Sequence, residues 1–337
     1  MKLKTVLLGA AALTVMVAGA ASAADLACLI TKNNTNPFFV KMKEGAEAAA
    51  TAAGLDFQAY AGEKDGDAAP QITAIENCVA AGAKGILITP SNDSVGPALK
   101  DARAAGILVI SLDTPLADAE AQDITFATDN FEAGLLIGKW AAATLGEGAA
   151  TAKIAMLDIN KDNISVDVLR DTGFLVGFGI EVPDLSVMGS ETDARVIGHE
   201  TSDANPEGGL RAMETLLAKD PDINVVYTIN EPAAEGAYQA LKNAGKEGQA
   251  IIVSVDGGCP GVASVKSGVI GATSQQYPLL MASKGIEAIV AYAKDGTKPT
   301  VTEGLSFMNT GVNLITDKPA EGVPSLDSTK GTELCWG

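Results

Sequence analysis

The chain has 337 residues, with 24 lysines and arginines against 42 aspartates and glutamates, and its formal net charge of −18 disfavours nucleic acid and other polyanions as partners. Hydrophobic residues make up 47% and aromatics only 4%, which suits Ala/Val/Ile/Gly-rich α/β layers with a core large enough for two domains. One histidine, His199, and cysteine spacings unlike those of zinc sites leave metal clusters and histidine-based triads poorly supported.

Lys2 and Lys4 precede an apolar stretch over 6–18, and Ala21-Ser22-Ala23 supplies the small residues a signal peptidase accepts. Residues 1–23 therefore read as a cleaved secretion signal. The mature chain would start near Ala24, with 22 basic against 42 acidic residues and a net charge of −20. Asp25-Leu26-Ala27-Cys28 puts a carboxylate where a lipoprotein signal needs an aliphatic residue, so no lipid anchor is expected. The most apolar helical stretch, 134–145, is too short to span a bilayer and carries Lys139. Export without an anchor points to the periplasm. In that oxidising compartment the four cysteines permit three connectivities. Cys28 and Cys78 fall on the first strand and second helix of one α/β unit, and Cys259 and Cys335 both fall in the last third. The expected pairs are Cys28–Cys78 and Cys259–Cys335.

Short β-branched runs then alternate with longer amphipathic ones, the pattern of a parallel sheet with crossover helices. Strands are predicted at 26–30, 55–61, 85–89, 108–111 and 124–127, and helices at 37–53, 68–81, 94–105 and 131–144. Gly54, Gly82 and Gly106 each sit just past a run rich in alanine, where helices end. The alternation restarts with strands at 153–159, 195–201, 225–229, 251–255 and 269–273 and helices at 166–178, 206–218, 233–243 and 262–267. A helix at 279–292 and a strand near 312–315 complete it, and 183–193 reads as a surface insertion.

Two open α/β units without a long linker predict two lobes facing each other across a cleft, with ligands beyond the carboxyl ends of the strands. Polar residues recur at that edge: Thr89, Asp113, Thr128, Asn230, Asp256 and Gln276. Asp113 and Asp256 read equally well as helix caps. Early in the chain, Thr31-Lys32-Asn33-Asn34-Thr35-Asn36-Pro37-Phe38-Phe39 combines a cap, a helix-starting proline and two rings. Flat apolar surface beside hydrogen-bonding groups is what a sugar ring needs. A core pair of phenylalanines behind an ordinary cap is the simpler alternative.

Asn36-Pro37-Phe38-Phe39, Leu112-Asp113-Thr114-Pro115, Thr128-Asp129-Asn130, Arg170 before Gly173-Phe174, Ile229-Asn230-Glu231-Pro232, Val255-Asp256-Gly257 and Ser274-Gln275-Gln276-Tyr277-Pro278 resemble, in order, the ribose-binding-like cluster of periplasmic sugar-binding proteins of ABC importers. The words Asn36 to Gly45, Val255 to Val262 and Cys335-Trp336-Gly337 are similar to the fructose-binding component of such importers. The resemblance implies the type I periplasmic binding protein fold: two doubly wound parallel-sheet lobes, 24–128 plus 277–308 and 129–276 plus 309–337, joined by a three-segment hinge near Thr128, Gln276 and Asn309. It further implies a monomer without cofactor or enzymatic activity. A monosaccharide, fructose first, would be held by Asn36, Phe38, Phe39, Thr89, Asp113, Thr128, Arg170, Asn230, Asp256 and Gln276 and handed to a membrane permease, with a chemoreceptor or sensor kinase as a further partner.

The chain departs from ribose binders at Thr114 and Thr89, where those carry arginine and asparagine, so ribose itself becomes doubtful. It offers no second-lobe ring near Ala204-Asn205, which leaves Tyr277 or Phe174 as substitutes. Lys32, at a position that faces the pocket in relatives, either donates to a hydroxyl or lies in solvent, with solvent the favoured reading. Asp65-Gly66-Asp67 lacks the remaining ligands of a calcium loop and reads as a polar turn. An enzyme would use Asp113 or Asp256 as general base with Arg170 beside it, but no nucleophile or phosphate loop accompanies them. A repressor effector domain would lack the export signal and carry a basic DNA-binding segment.

Overall fold

The computed structural model describes residues 24–337, so the predicted secretion signal lies outside the described residues. The first unit runs β1 (Leu26–Thr31), α1 (Pro37–Ala53), β2 (Asp56–Ala61), α2 (Ala69–Ala80), β3 (Gly85–Ile88), α3 (Gly96–Ala104), β4 (Leu108–Leu112) and β5 (Ile124–Ala127). β3, β4 and β5 are buried along their whole length, as continuous apolar runs require in a parallel sheet covered on both faces. α1 begins where the sequence says it should: the Asn36 side chain accepts from the Phe38 amide, Pro37 takes the first helical position, and Gly54 closes the helix in the left-handed conformation at φ 71°. A disulfide joins Cys28 on β1 to Cys78 on α2.

The second unit runs α4 (Asn130–Leu145), β6 (Ile154–Asp158), α5 (Ser165–Phe178), β7 (Val196–Thr201), α6 (Pro206–Lys219), β8 (Val225–Thr228), α7 (Glu231–Asn243), β9 (Ile251–Asp256), α8 (Cys259–Ser267) and β10 (Ala272–Gln275). α4 and α5 touch backbone to backbone. A Cβ on Gly134, Gly138, Gly173 or Gly177 would stand 2.1 to 2.4 Å from a carbonyl oxygen of the facing helix, so only glycine permits that approach.

α9 (Pro278–Asp295) returns to pack on α1, β11 (Met308–Asn309) joins the first sheet, β12 (Asn313–Ile315) joins the second, and α10 (Ser328–Leu334) packs on α8. The chain thus passes between sheets three times: between β5 and α4, between β10 and α9, and between β11 and β12. The sheet orders, β11-β5-β4-β3-β1-β2 and β12-β10-β9-β8-β6-β7, are two copies of one plan. Pairing is parallel except where β12 meets β10. The result is an α/β protein of two doubly wound lobes.

One predicted element shifts and one helix was not predicted. The strand expected at 269–273 lies at 272–275, because Val269 and Ile270 are spent closing α8, their amides bonding to the Ser264 carbonyl. α10 was not foreseen; Asp327 caps it and the Cys259–Cys335 disulfide ties its far end to α8. The segment 183–193 has no regular structure and is largely exposed, as an insertion should be, yet Glu191 turns inward to His199.

Candidate functional site

β4 and β9 occupy equivalent places in the two sheets, and each ends in an aspartate outside the usual backbone regions: Asp113 at φ 64° and Asp256 at φ 139°. Holding a non-glycine residue there costs about 1–3 kcal/mol, so the surrounding structure must insist on where these carboxylates stand. They face one cleft between the lobes. It is lined by Lys32, Asn36, Phe38, Phe39, Asp65 and Asp113 from the first lobe and by Ile159, Val166, Arg170, Ala204, Ile229, Asn230, Asp256 and Gln276 from the second lobe and its crossing.

Arg170, on α5, is the centre of this arrangement. Its Nε donates to Asn130 Oδ1 at 2.7 Å, one terminal nitrogen to the Ile229 carbonyl at 3.1 Å and the other to Gln276 Oε1 at 3.4 Å. That last nitrogen also stands 3.7 Å from Asp113 Oδ1, an ion pair across the lobes. Gln276 in turn donates to Asp256 Oδ1 at 2.7 Å, so both aspartates are tied to one guanidinium, directly or through one amide. Burial pushes the Asp256 carboxyl up to about 7 against the pull of Arg170. Beneath it, burial and then the charge of Asp256 push Glu231 up to about 8. Glu231 accepts from the Gly257 and Gly258 amides and from Thr273.

Eight of the ten expected binding residues line the cleft: Asn36, Phe38, Phe39, Asp113, Arg170, Asn230, Asp256 and Gln276. Thr89 and Thr128 do not. The Thr89 hydroxyl accepts from the Lys32 amide at 3.0 Å, and that of Thr128 donates to the Gly311 carbonyl at a crossing, so both are structural pins rather than lining groups. Phe38 and Phe39 sit in the first-lobe core and also line the cleft. Asn230 caps α7 through its oxygen and donates to the Ala204 carbonyl, leaving one amide hydrogen uncommitted.

Three expectations, those for Lys32, Phe174 and Tyr277, are corrected. Lys32 is not in solvent: it is 1% exposed and pairs with Asp65 at 3.5 Å. The polar turn at 65–67 therefore has a lining role through Asp65, which also accepts from Asn33. Phe174 cannot complete an aromatic sandwich because it is fully buried against Tyr227 and Phe178. Tyr277 faces Asn313 instead of the cleft. Opposite the phenylalanines the wall is aliphatic, made by Ile159, Val166, Ala204 and Ile229. Asn130, which aims Arg170, was visible only as part of a motif. A wider groove of about 790 Å³ on the second-lobe flank reaches the cleft at Asn36 and Asp256 and is walled by the prolines at 206, 232 and 260 and by Tyr238, without the converging donors.

Residues 27–298 match the model of the periplasmic binding protein domain. The ribose import binding protein of Escherichia coli (strain K12) is 30% identical over 288 residues, covering 85% of this chain and 91% of that one. The D-allose-binding periplasmic protein of the same organism is 26% identical over 290 residues, covering 83% and 88%. Among solved structures, an ABC transporter periplasmic solute-binding protein from Actinobacillus succinogenes with bound D-allose superposes with a TM-score of 0.73 at 22% identity, covering 92% of this chain and 99% of that one. Two sheets of the same strand order, three crossings and a cleft lined from both lobes agree with these matches, and the chain belongs to the periplasmic binding protein domain family, a family of binding proteins rather than enzymes.

Proposed function

We propose that this protein captures a neutral monosaccharide, fructose first among them, in the periplasm and delivers it to the permease of an ABC importer. The observation that carries the reading is the convergence of Asp113, Arg170, Asp256 and Gln276 from opposing lobes on a cleft with Phe38 and Phe39 on one wall. Carboxylates accept from vicinal hydroxyls, the guanidinium donates in a plane, and the rings cover the C–H face of a sugar. Lys32 paired with Asp65, and Arg170 with Asp113, balance charge within the wall, which favours an uncharged ligand. The lobes, taken as 24–128 plus 277–308 and 129–276 plus 309–337, would close by hinging, and the loaded form would dock on the permease. The relatives named for ribose import and for allose binding support the sugar class, and the fructose reading rests on the words around Asn36, Val255 and Cys335.

A thermal-shift screen of the unliganded mature protein against fructose, ribose, allose, xylose, glucose, mannose and inositol tests this, since a ligand bound only by the native state raises Tm. Fructose is expected to give the largest rise. A larger shift with another sugar keeps the class and replaces the ligand; no shift with any of them overturns the proposal.

A further inference from the structure

Behind the cleft wall, on the face of the second sheet covered by α5, three carboxylates, those of Asp158, Asp171 and Glu191, surround the histidine of β7. The pairing register sets Met156 beside both His199 and Tyr227, so those three side chains share one face, with Asp158 two residues further along β6 on the same side. Asp167 and Asp171 come down from α5, and Glu191 comes from the insertion at 183–193.

His199 Nδ1 lies 2.9 Å from Asp158 Oδ2 and 3.4 Å from Asp171 Oδ2, and Nε2 lies 2.9 Å from Glu191 Oε1. Donor atoms of Asp158, Asp171 and His199 all fall within 4.8 Å of one another. Ligands of a tetrahedral ion with bonds near 2.0–2.2 Å stand about 3.3 Å apart, so this spacing matches a small divalent ion after shifts of a few tenths of an ångström. A divalent ion would displace the hydrogen that Nδ1 shares with Asp158 and bind there, while Nε2 keeps its hydrogen bond to Glu191, the carboxylate–histidine–metal arrangement that fixes a tautomer.

A second observation points to a missing partner. Asp171 is fully buried, and neither of its carboxylate oxygens has a hydrogen-bond donor; nor do Asp158 Oδ1 and the hydroxyl of fully buried Tyr227. A cavity of about 240 Å³ lined by Asp158, Asn160, Asn163, Met188, His199 and Thr201 opens the cluster to the surface.

The geometry points to a divalent transition-metal site, zinc in type, with Asp158, Asp171 and His199 as ligands, Glu191 orienting the imidazole, and the remaining position filled by a second Asp171 oxygen or by water entering through that cavity. One imidazole nitrogen with carboxylates favours zinc over calcium or magnesium, which take oxygen alone. The site does not depend on which sugar the cleft holds, nor on its holding one.

The test uses the untagged mature chain, stripped with chelator and then titrated with Zn(II) or Co(II). The expected result is one tightly held ion per chain, a zinc-dependent rise in Tm, and the intense visible bands of a four- or five-coordinate Co(II) site. His199→Gln and Asp171→Asn should abolish the bands and the rise in Tm, and Glu191→Ala should weaken zinc binding about 10–100-fold. Cobalt that keeps the faint spectrum of its aqua ion with the parent protein would mean an imidazolium held among carboxylates and overturns the site. So does zinc uptake that survives both His199→Gln and Asp171→Asn. Should a variant fail to fold, the parent's cobalt spectrum decides alone.

Discussion

Trp336 lies near the end of the second lobe, held by the Cys259–Cys335 disulfide and by the Cys259 amide donating to its carbonyl, yet its ring sits in the first-lobe core, 6% exposed. There it meets the Phe38 ring edge-on at 5.5 Å and donates from Nε1 to the Gln276 carbonyl at 2.7 Å. Truncating a core tryptophan costs about 3–5 kcal/mol, so Trp336→Ala should lower Tm by about 6 °C at about 2 cal/mol/K per residue. Phe38 also loses its backing. An edge-on aromatic pair contributes about 0.5–1.5 kcal/mol, so sugar affinity should fall by up to about tenfold. Trp336→Phe keeps the packing but orphans a buried carbonyl, and should cost about 1–3 kcal/mol. Thermal unfolding by circular dichroism and calorimetric sugar titration read both effects. Trp336→Ala that melts within about 1 °C of the parent, less than 1 kcal/mol by the same conversion, refutes the latch.

Arg170→Ala leaves Asp113, Gln276 and the Ile229 carbonyl without their shared donor; it should destabilise the protein by about 3–5 kcal/mol and weaken sugar binding at least about 100-fold, and calorimetry showing parental affinity removes Arg170 from the site. Asp256 and Glu231 have folded pKa values raised to about 7 and about 8, so the unliganded fold keeps protons that the unfolded chain has lost above about 4. Stability is therefore fully present at low pH and drains as pH rises through 7 and 8. Tm should fall between about pH 5 and 8.5 and Glu231→Gln should flatten the curve, whereas a rising parental curve contradicts the assignment. Gly173→Ala drives a methyl to 2.3 Å from the Phe131 carbonyl and should cost about 1–3 kcal/mol or more, splaying α5 and with it Arg170; unchanged stability would show that the helices do not touch there.

Most of the fold was legible because its signals are local. Asn36-Pro37 and Gly54 bound α1, buried apolar runs mark the parallel strands, and cysteine positions within one α/β unit pair as expected. The strand at 272–275 was misplaced because β-branched Val269 and Ile270 look the same whether they close a helix or enter a sheet. At the site, Asp113 and Asp256 could be read from strand ends, but Arg170 lies inside a helix and stands out only through resemblance. Lys32 and Asp65 were missed because their pairing joins loops after β1 and β2, a contact with no sequence spacing. Thr89 was overvalued because its neighbour's amide had already claimed its hydroxyl. A lone histidine suggested no metal chemistry, since counting imidazoles overlooks carboxylates that meet only after β6, α5 and β7 have packed.

Interleaving of the two lobes also dictates an order of assembly. The helix that covers α1, α9, and the indole that seals the hydrophobic centre beside Phe38 both follow strands β6 to β10 of the second lobe along the chain. In a chain that emerges from its amino terminus, the leading half therefore cannot bury its own interior until α9 and the indole have followed. A chain interrupted after β10 would expose the very surface that later backs Phe38.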